Sequence, residues 1–220
     1  IYDHLIDLKA DGSFRLNLDY FDYCTGLTMT NQRFDTLFGG KPRQPETLLT
    51  QRDMDLAASV QVVIEEAVLR MTRSLAKETG LQSLCLAGGV ALNCVANGKI
   101  LRDGAFKSIW IQPAAGDAGG ALGAALAVYH MQKGGARAVR SSNDTMAGSY
   151  LGPSFSQDDI EHRLTAMGAR FRTVTSNEMI DHTAKALADG QAIGWFQGRM
   201  EFGPRALGAR SILGDPRSPT

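Results

Sequence analysis

The sequence predicts an α/β protein, and two observations carry this prediction. Residues 83–104 and 108–135 repeat one plan, in which a short apolar strand is followed by a glycine-containing loop and a helix. Helix and strand patterns alternate again between residues 156 and 196. Such alternation is typical of helices packed on a sheet, where functional sites favour the loops at the carboxyl ends of strands.

The first elements along the chain are a hairpin and two helices. Alternating apolar residues around Asp11-Gly12 predict a β-hairpin. Segment 22–50 is rich in turn formers and predicts a loop with one short helix at 31–38. Apolar residues spaced by three and four predict a helix over 53–77. Its expected core face consists of Leu56, Val60, Val63, Ile64, Ala67, Val68, Met71 and Leu75.

The repeated unit places a glycine pair after each of two strands. In the first unit, a strand at 84–86 leads through a Gly88-Gly89 turn into a helix ending near residue 103. In the second unit, a strand at 109–112 precedes a helix ending near residue 133. The loop between these two elements contains Gly116, Asp117, Gly119 and Gly120.

A domain boundary is predicted in the Gly-, Ser- and Asn-rich segment 134–156, which gives domains 1–145 and 146–220. The second domain is predicted to contain a helix at 156–167 with Ser156 as N-cap, a strand at 171–174, a helix at 176–188 and a strand at 192–196. The chain starts without Met and stops soon after an arginine-rich loop, so we expect a fragment of a longer polypeptide.

Composition limits the function classes. The 220 residues balance 23 basic against 23 acidic side chains, which gives no support for nucleic-acid or membrane-surface binding. No apolar run approaches the roughly 20 residues of a membrane span, and no signal peptide pattern is present. We expect a cytoplasmic protein whose oligomeric state the sequence does not indicate. Cys24, Cys85 and Cys94 are odd in number and lack CxxC spacing, which favours buried thiols.

Three groups of residues have the chemistry of a binding site. Paired glycines between a strand and a helix let backbone amides approach a phosphate, although neither pair matches a Walker A or GxGxxG pattern and simple turn chemistry is the alternative. Asp117 is suited to metal or hydroxyl binding, or to capping its helix. The stretch "QGRMEFGPRALGARS" carries three arginines among glycines, Arg199, Arg205 and Arg210, which indicates an anion-binding site. Arg210 could instead pair with an acidic neighbour such as Asp215.

These segments resemble a known enzyme family. "LCLAGGVALNCVANGKIL", "IQPAAGDAGGALGAALAVYH" and "GWFQGRMEFGPRALGARSILGDPR" are similar to motifs of the O-carbamoyltransferases that act on nodulation factors and antibiotics. "DMDLAASVQ" and "AGGVALN" also resemble the related proteins of tRNA threonylcarbamoylation. The resemblance implies that the first domain is part of an actin- and sugar-kinase-like (RNase H-like) ATPase domain. It implies that the second is the start of an α/β domain similar to threonylcarbamoyl-adenylate synthase.

The same resemblance implies a reaction and its ligands. ATP and carbamoyl phosphate would form carbamoyl-adenylate, whose carbamoyl group passes to a hydroxyl of a sugar or other natural product. The implied nucleotide-binding residues are Gly88, Gly89, Val90, Asn93, Gly119 and Gly120. Arg199, Arg205 and Arg210 would bind carbamoyl phosphate, and Asp117 would bind a divalent metal, with iron as the candidate. No catalytic residue is assigned.

The sequence departs from the family pattern at the metal site. The family pairs two histidines of an HxxxH motif with the aspartate, whereas the four histidines here occur singly. We therefore expect the isolated chain to be inactive. Two other functions share part of the pattern: a sugar kinase of the same superfamily, and a non-catalytic nucleotide-binding module whose arginine loop is a salt-bridge hub.

Overall fold

A computed structural model describes residues 1–137 and 144–218. The chain divides into two compact units: Ile1–Leu86 with Asn93–Trp110, and Ala87–Leu92 with the residues from Ile111 onward. Helices and three two-stranded sheets make up the described part, so the α/β prediction is confirmed at this level. The predicted boundary between residues 145 and 146 stays a prediction, and part of its linker, residues 138–143, lies outside the described residues.

The first unit opens with the predicted hairpin. Strands β1 (Ile6–Leu8) and β2 (Phe14–Leu16) pair antiparallel, with Ile6 opposite Leu16. The turn between them needs a glycine at residue 12, where φ is +88°. The Asp11 carboxylate accepts hydrogen bonds from the Ser13 amide and hydroxyl, and these bonds lower the pKa of Asp11.

Two helices follow, and local signals set their ends. Helix α1 spans Gln32–Leu37, with Asn31 as its N-cap. Helix α2 spans Gln51–Thr79, from a capping box between Thr50 and Asp53 to a left-handed Gly80. Both predicted helices are confirmed.

The buried face of α2 differs from the predicted one. Val63 and Ala67 are buried, but Val60, Met71 and Leu75 are 46%, 39% and 41% exposed. Two polar residues of the helix, Glu65 and Thr72, are buried instead. Burial is possible there because both side chains are hydrogen-bonded, Glu65 to Gln61 and Lys99 and Thr72 to the Leu69 carbonyl.

The core of the first unit forms around a strand pair and a helix. Strand β3 (Ser83–Leu86) pairs with β4 (Ser108–Ile111), and helix α3 spans Cys94–Asp103. Leu84, Ile100 and Phe106 form the buried cluster, against which Val68 and Leu69 of α2 pack.

The prediction of buried thiols is wrong, because all three cysteines are exposed. Cys85 alternates with buried Leu84 along β3 and therefore belongs to the opposite face of the strand. Cys94 is the first residue of α3, and Cys24 lies in the loop before α1.

The described part of the second unit contains three α-helices and a strand pair. Helices α4 (Asp117–Ala127), α5 (Gln157–Ala166) and α6 (Ser176–Ala188) match predicted helices, and Ser156 caps α5 as expected. A π-helical turn, Val128–Gln132, extends α4. Strands β5 (Ile193–Phe196) and β6 (Arg210–Leu213) pair antiparallel, with Phe196 opposite Arg210.

Two predictions for the second unit are wrong. Residues 171–174 form no strand, since this largely exposed segment pairs with no neighbouring strand. The predicted loop at 116–120 is shorter than expected, because Asp117, Gly119 and Gly120 already belong to α4. Within the described ranges, no helix has both the length and the apolar character needed to cross a bilayer.

Candidate functional site

The Gly88-Gly89 turn is joined directly to the segment that precedes α4. Gly88 has φ of +99°, and its amide donates to the Ala115 carbonyl at 2.8 Å. A 3-10 turn, Gly89–Leu92, follows and is closed by a hydrogen bond from the Ala91 amide to the Gly88 carbonyl. A Cβ atom at Gly89 would meet no atom within 4 Å, so space lies open beside this residue. Val90, next in the turn, is 58% exposed.

The sequence predicts that the Gly88-Gly89 turn leads directly into a helix, but in the structure it does not. Helix α3 begins only at Cys94, after the 3-10 turn. Its first amide is therefore five residues beyond Gly89 and belongs to the first unit. The sequence predicts two helix N-termini, each next to a glycine pair. In the structure only the N-terminus of α4 lies next to its glycine pair.

The two glycines of the second pair have different surroundings. A Cβ atom at Gly119 would lie 2.1 Å from the Ala114 carbonyl oxygen, a separation that no side chain can adopt. At Gly120 a Cβ atom would meet nothing within 4 Å. Gly119 is thus required by packing, whereas Gly120 borders open space in the first turn of α4, where backbone amides favour anions.

Asp117 occupies the first position of α4 and is exposed. The N-cap is Gly116, which excludes the proposal that Asp117 caps the helix. Within the ranges that the structure describes, no three His, Cys, Asp or Glu side chains come close enough to hold a metal ion. The described residues thus offer one candidate ligand and do not by themselves fit a metal, so no step through a metal is derived.

Asn93 lies in the first unit and is the N-cap of α3. Its Oδ1 accepts from the Ala96 amide at 3.1 Å, and its Nδ2 donates to Oε1 of Gln61 at 2.8 Å. Gln61 in turn donates to the buried Glu65, which also pairs with Lys99. Gln61, the last residue of the motif "DMDLAASVQ", therefore orients the N-cap of α3. Both the oxygen and the nitrogen of the Asn93 amide are already hydrogen-bonded.

The arginine loop, residues 197–210, connects β5 to β6 and ends on the first residue of β6. The Gln197 amide donates to the Ala209 carbonyl at 2.9 Å and closes the base of the loop. Gly203 has φ of +127°, and a Cβ atom there would lie 3.0 Å from the Pro113 carbonyl oxygen. Nη2 of Arg205 donates to the Leu92 carbonyl at 3.0 Å. The loop therefore contacts both the end of the Gly88 turn and the segment before α4.

The opposite side of the arginine loop is bonded to residues 149–153. Nη1 of Arg199 donates to the Gly152 carbonyl at 2.9 Å, and the Gly152 amide donates to the Met200 carbonyl at 2.9 Å. Arg199 and Arg205 are both exposed, and each has one hydrogen bond of this kind. Because a guanidinium has five N–H donors, both side chains keep donors for an anion.

A buried serine, which no sequence pattern predicted, supports this attachment. Ser149 is 0% exposed, and its hydroxyl donates to the Phe202 carbonyl at 2.5 Å. Its φ is +74°, an unfavourable value for a residue with a side chain. Such positions cost about 1–3 kcal/mol and persist only where surrounding contacts enforce them. No single-sequence pattern marks such a backbone.

The third arginine is held in an ion pair with Glu201. Nε of Arg210 donates to Oε2 of Glu201 at 3.0 Å, and the Glu201 side chain is 0% exposed. The other carboxylate oxygen accepts from the amides of Leu207 and Ala209, both at 2.8 Å. Asp215, the partner suggested by the sequence, pairs with Arg217 instead.

Glu201 is charged over the physiological range. Burial on its own would raise its pKa, but backbone amides, including those of Leu207 and Ala209, and the Arg210 guanidinium outweigh burial and lower the pKa to about 2. No sequence motif predicted a role for Glu201. The only sequence feature that marks it is its position as the lone acidic residue within a basic, glycine-rich stretch.

The structure thus brings together most of the predicted site residues within the second unit. Gly88, Gly89, Val90, Gly119, Gly120 and the three arginines all belong to that unit, as does Asp117. Asn93 does not.

Comparison with protein families gives two matches along the chain. The description "Carbamoyltransferase N-terminus" matches residues 1–126, and "Carbamoyltransferase C-terminus" matches residues 184–220. The second match contains the whole arginine loop, and the first ends within α4.

Individual relatives extend over all or most of the chain. An uncharacterized protein of Synechocystis is 60% identical over the whole chain, which covers 36% of that relative. Nodulation protein NolNO of Sinorhizobium fredii is 40% identical over the whole chain, which covers 30% of it. Nodulation protein NolO of Bradyrhizobium diazoefficiens is 46% identical over 76% of the chain and 30% of its own length. The chain spans about a third of the length of these curated relatives.

Proposed function

Since the chain belongs to the carbamoyltransferase family, we propose that it is part of an ATP-dependent O-carbamoyltransferase. In this proposal, water first hydrolyses carbamoyl phosphate to carbamate and phosphate. A carbamate oxygen then bonds to the α-phosphorus of ATP, the bond from that phosphorus to pyrophosphate breaks, and carbamoyl-adenylate forms. The acceptor hydroxyl oxygen finally bonds to the carbamoyl carbon, the bond from that carbon to the AMP oxygen breaks, and the hydroxyl proton passes to solvent. The acceptor class is a sugar or another hydroxylated natural product. The proposed location is the cytoplasm.

The proposal extends to the fold. We propose that residues 1–145 are part of an actin- and sugar-kinase-like ATPase domain and that residues 146–220 begin a domain similar to threonylcarbamoyl-adenylate synthase. The family match at 1–126 and the separate match at 184–220 are consistent with two parts.

One observation supports the reaction more than any other: the arginine loop lies against both glycine-bearing segments. Arg205 donates to the carbonyl of Leu92 at the end of the Gly88 turn. Gly203 approaches Pro113, just before α4. A reaction between two phosphate compounds requires adjacent binding regions for both, and the proximity of these segments within one unit supports the proposal.

The chemistry of each region suits its proposed ligand. The open spaces at Gly89 and Gly120 let the phosphates of ATP approach backbone amides, and the N-terminus of α4 adds partial positive charge. Arg199 and Arg205 are exposed guanidinium groups, which bind phosphate through paired hydrogen bonds more specifically than lysine does. Asp117 enters the proposal only as one ligand of a divalent metal, whose coordination other groups would have to complete.

The direct test is carbamoyl-phosphate-dependent adenylate formation by the full-length protein. We expect pyrophosphate release from ATP only when carbamoyl phosphate is present, and AMP release when an acceptor is added. Phosphate transfer from ATP to a sugar without carbamoyl phosphate would identify a kinase. Nucleotide binding without any turnover would identify a non-catalytic module.

A further inference from the structure

The arginine loop contains a negative charge where an anion is proposed to bind. Glu201 is the acidic residue of this loop, and its side chain is completely buried. Carboxylates are rarely buried unless they are paired and hydrogen-bonded. Glu201 meets both conditions, so its place in the loop calls for a function.

Glu201 connects the two ends of the loop. Its Oε1 accepts from the amides of Leu207, Ala209 and Arg210 at 2.8, 2.8 and 3.2 Å. These donors lie six to nine residues further along the chain. The carboxylate therefore fixes how the intervening segment, which carries Arg205, folds back.

Arg210 is engaged on the same residue twice. Its Nε binds the Glu201 carboxylate, and its Nη2 donates to the Glu201 carbonyl at 3.0 Å. The two charges cancel locally, so the remaining positive charge of the loop comes from Arg199 and Arg205. Two of its N–H donors, on Nε and Nη2, are therefore directed at Glu201.

We propose that Glu201 and Arg210 are positioning residues, which hold the arginine loop in the conformation that lets Arg199 and Arg205 bind carbamoyl phosphate. Arg210 then acts through Glu201 and is not itself a ligand of the anion. This inference rests on the proposed function.

The substitution Glu201→Gln separates positioning from simple electrostatics. Removing a negative charge next to an anion site strengthens anion binding by Coulomb's law, if the loop keeps its conformation. Gln has nearly the shape of Glu, but its amide N–H groups cannot accept the hydrogen bonds that one carboxylate oxygen accepts. Positioning therefore predicts weaker binding, opposite in sign to the electrostatic effect.

The experiment measures binding of carbamoyl phosphate to the full-length protein by titration calorimetry, well below the melting temperature. We expect Glu201→Gln to weaken binding by about tenfold, the equivalent of one broken orienting contact. The matched control is Asp215→Asn, which disrupts the Asp215–Arg217 pair without touching the loop amides and should bind like wild type. ATP affinity reports whether the folded unit is intact.

A double-substitution cycle tests whether Arg210 acts through Glu201. If it does, Glu201→Gln combined with Arg210→Gln binds no worse than the weaker single variant; an independent ligand would make the two losses multiply. The double variant also leaves no unpaired buried charge, so it can be measured if Glu201→Gln alone fails to fold. In that case the double variant should bind carbamoyl phosphate no more weakly than Arg210→Gln does.

Three results decide between the two proposals. Unchanged or tighter binding by folded Glu201→Gln would overturn the positioning role, and multiplying losses would restore Arg210 as a ligand. Absence of carbamoyl phosphate binding by wild type would overturn the proposed function instead.

Discussion

The start of α4 and the arginine loop both repeat one residue type, and in both regions only some of the repeats are free to meet a ligand. In α4, Gly119 is confined by the Ala114 carbonyl, whereas Gly120 borders open space. In the arginine loop, Arg210 is held by Glu201, whereas Arg199 and Arg205 are exposed. Chemically identical residues a few positions apart therefore have different surroundings, which their neighbours determine.

The largest expected effect is a difference in the free energy of unfolding between the variants Gly119→Ala and Gly120→Ala. In a helix, Gly→Ala normally stabilises by up to about 1 kcal/mol. We expect this gain for Gly120→Ala, but for Gly119→Ala a loss of about 3 kcal/mol, because the new methyl group collides with the backbone of residue 114. Thermal melting of the two variants checks the prediction. Equal melting temperatures would show that the two positions do not differ.

The next prediction separates the arginines by ligand binding. Charge-assisted hydrogen bonds are worth about 1.5–3 kcal/mol, so Arg199→Ala or Arg205→Ala should weaken carbamoyl phosphate use by about one to two orders of magnitude. ATP binding should barely change. Arg217→Ala, which removes an exposed arginine paired with Asp215, is the matched control. A fall in melting temperature with unchanged carbamoyl phosphate affinity would show that the loop is purely structural.

A smaller effect is expected where a side chain fills the open space at Gly120. Gly120→Val should fold normally, since nothing lies within 4 Å of the added Cβ, and it should weaken ATP binding about tenfold by keeping phosphates away from the helix amides. Gly120→Ala serves as the milder control. Wild-type ATP affinity in the folded Val variant would place the nucleotide elsewhere.

Local signals predicted most helices and all the paired strands except β6, which the sequence analysis did not assign. Ser156 and the apolar periods predicted helices close to those observed. The errors arose where long-range partners decide the outcome. Residues 171–174 have strand character but pair with no other strand, and Glu65 is buried because Gln61 and Lys99 satisfy it.

The sequence indicated the site residues through glycine and arginine spacing, but it could not rank them. Arg210 resembles Arg205 in the sequence, and only the fold shows that the Arg210 guanidinium is engaged by Glu201. Ser149 and Glu201 were missed because their contacts join residues six to 53 positions apart. Buried hydrogen bonds of this kind leave no periodic signal.

A further prediction concerns Asp117, which is exposed like Arg205 and, within the described ranges, belongs to no cluster of three potential metal ligands. Loss of a carboxylate from the first turn of α4 should cost about 0.5 kcal/mol through the helix dipole, so Asp117→Asn should fold. If Asp117 is a metal ligand, the variant should also lose bound metal, since an amide binds such cations poorly. Metal analysis of the full-length protein checks this. Full metal content and activity in the variant would leave only the helix-end role.

The last prediction is a pH dependence confined to acid, and it tests the ion pair that sets Arg210 apart. Glu201 has its pKa lowered from 4.5 to about 2 in the folded protein, so its ionised form stabilises the fold above pH 4.5. That contribution is lost as the pH falls from 4.5 towards 2. The melting temperatures of wild type and Glu201→Gln should therefore differ by a constant amount between about pH 5.5 and 8 and converge below pH 4.5.

The other acidic groups with lowered pKa values, such as Asp103 and Glu178, are common to both proteins and cancel in this difference. Curves that stay parallel down to pH 2 would show that the Glu201 carboxylate is not favoured by folding, and Arg210 would then be as free as Arg199.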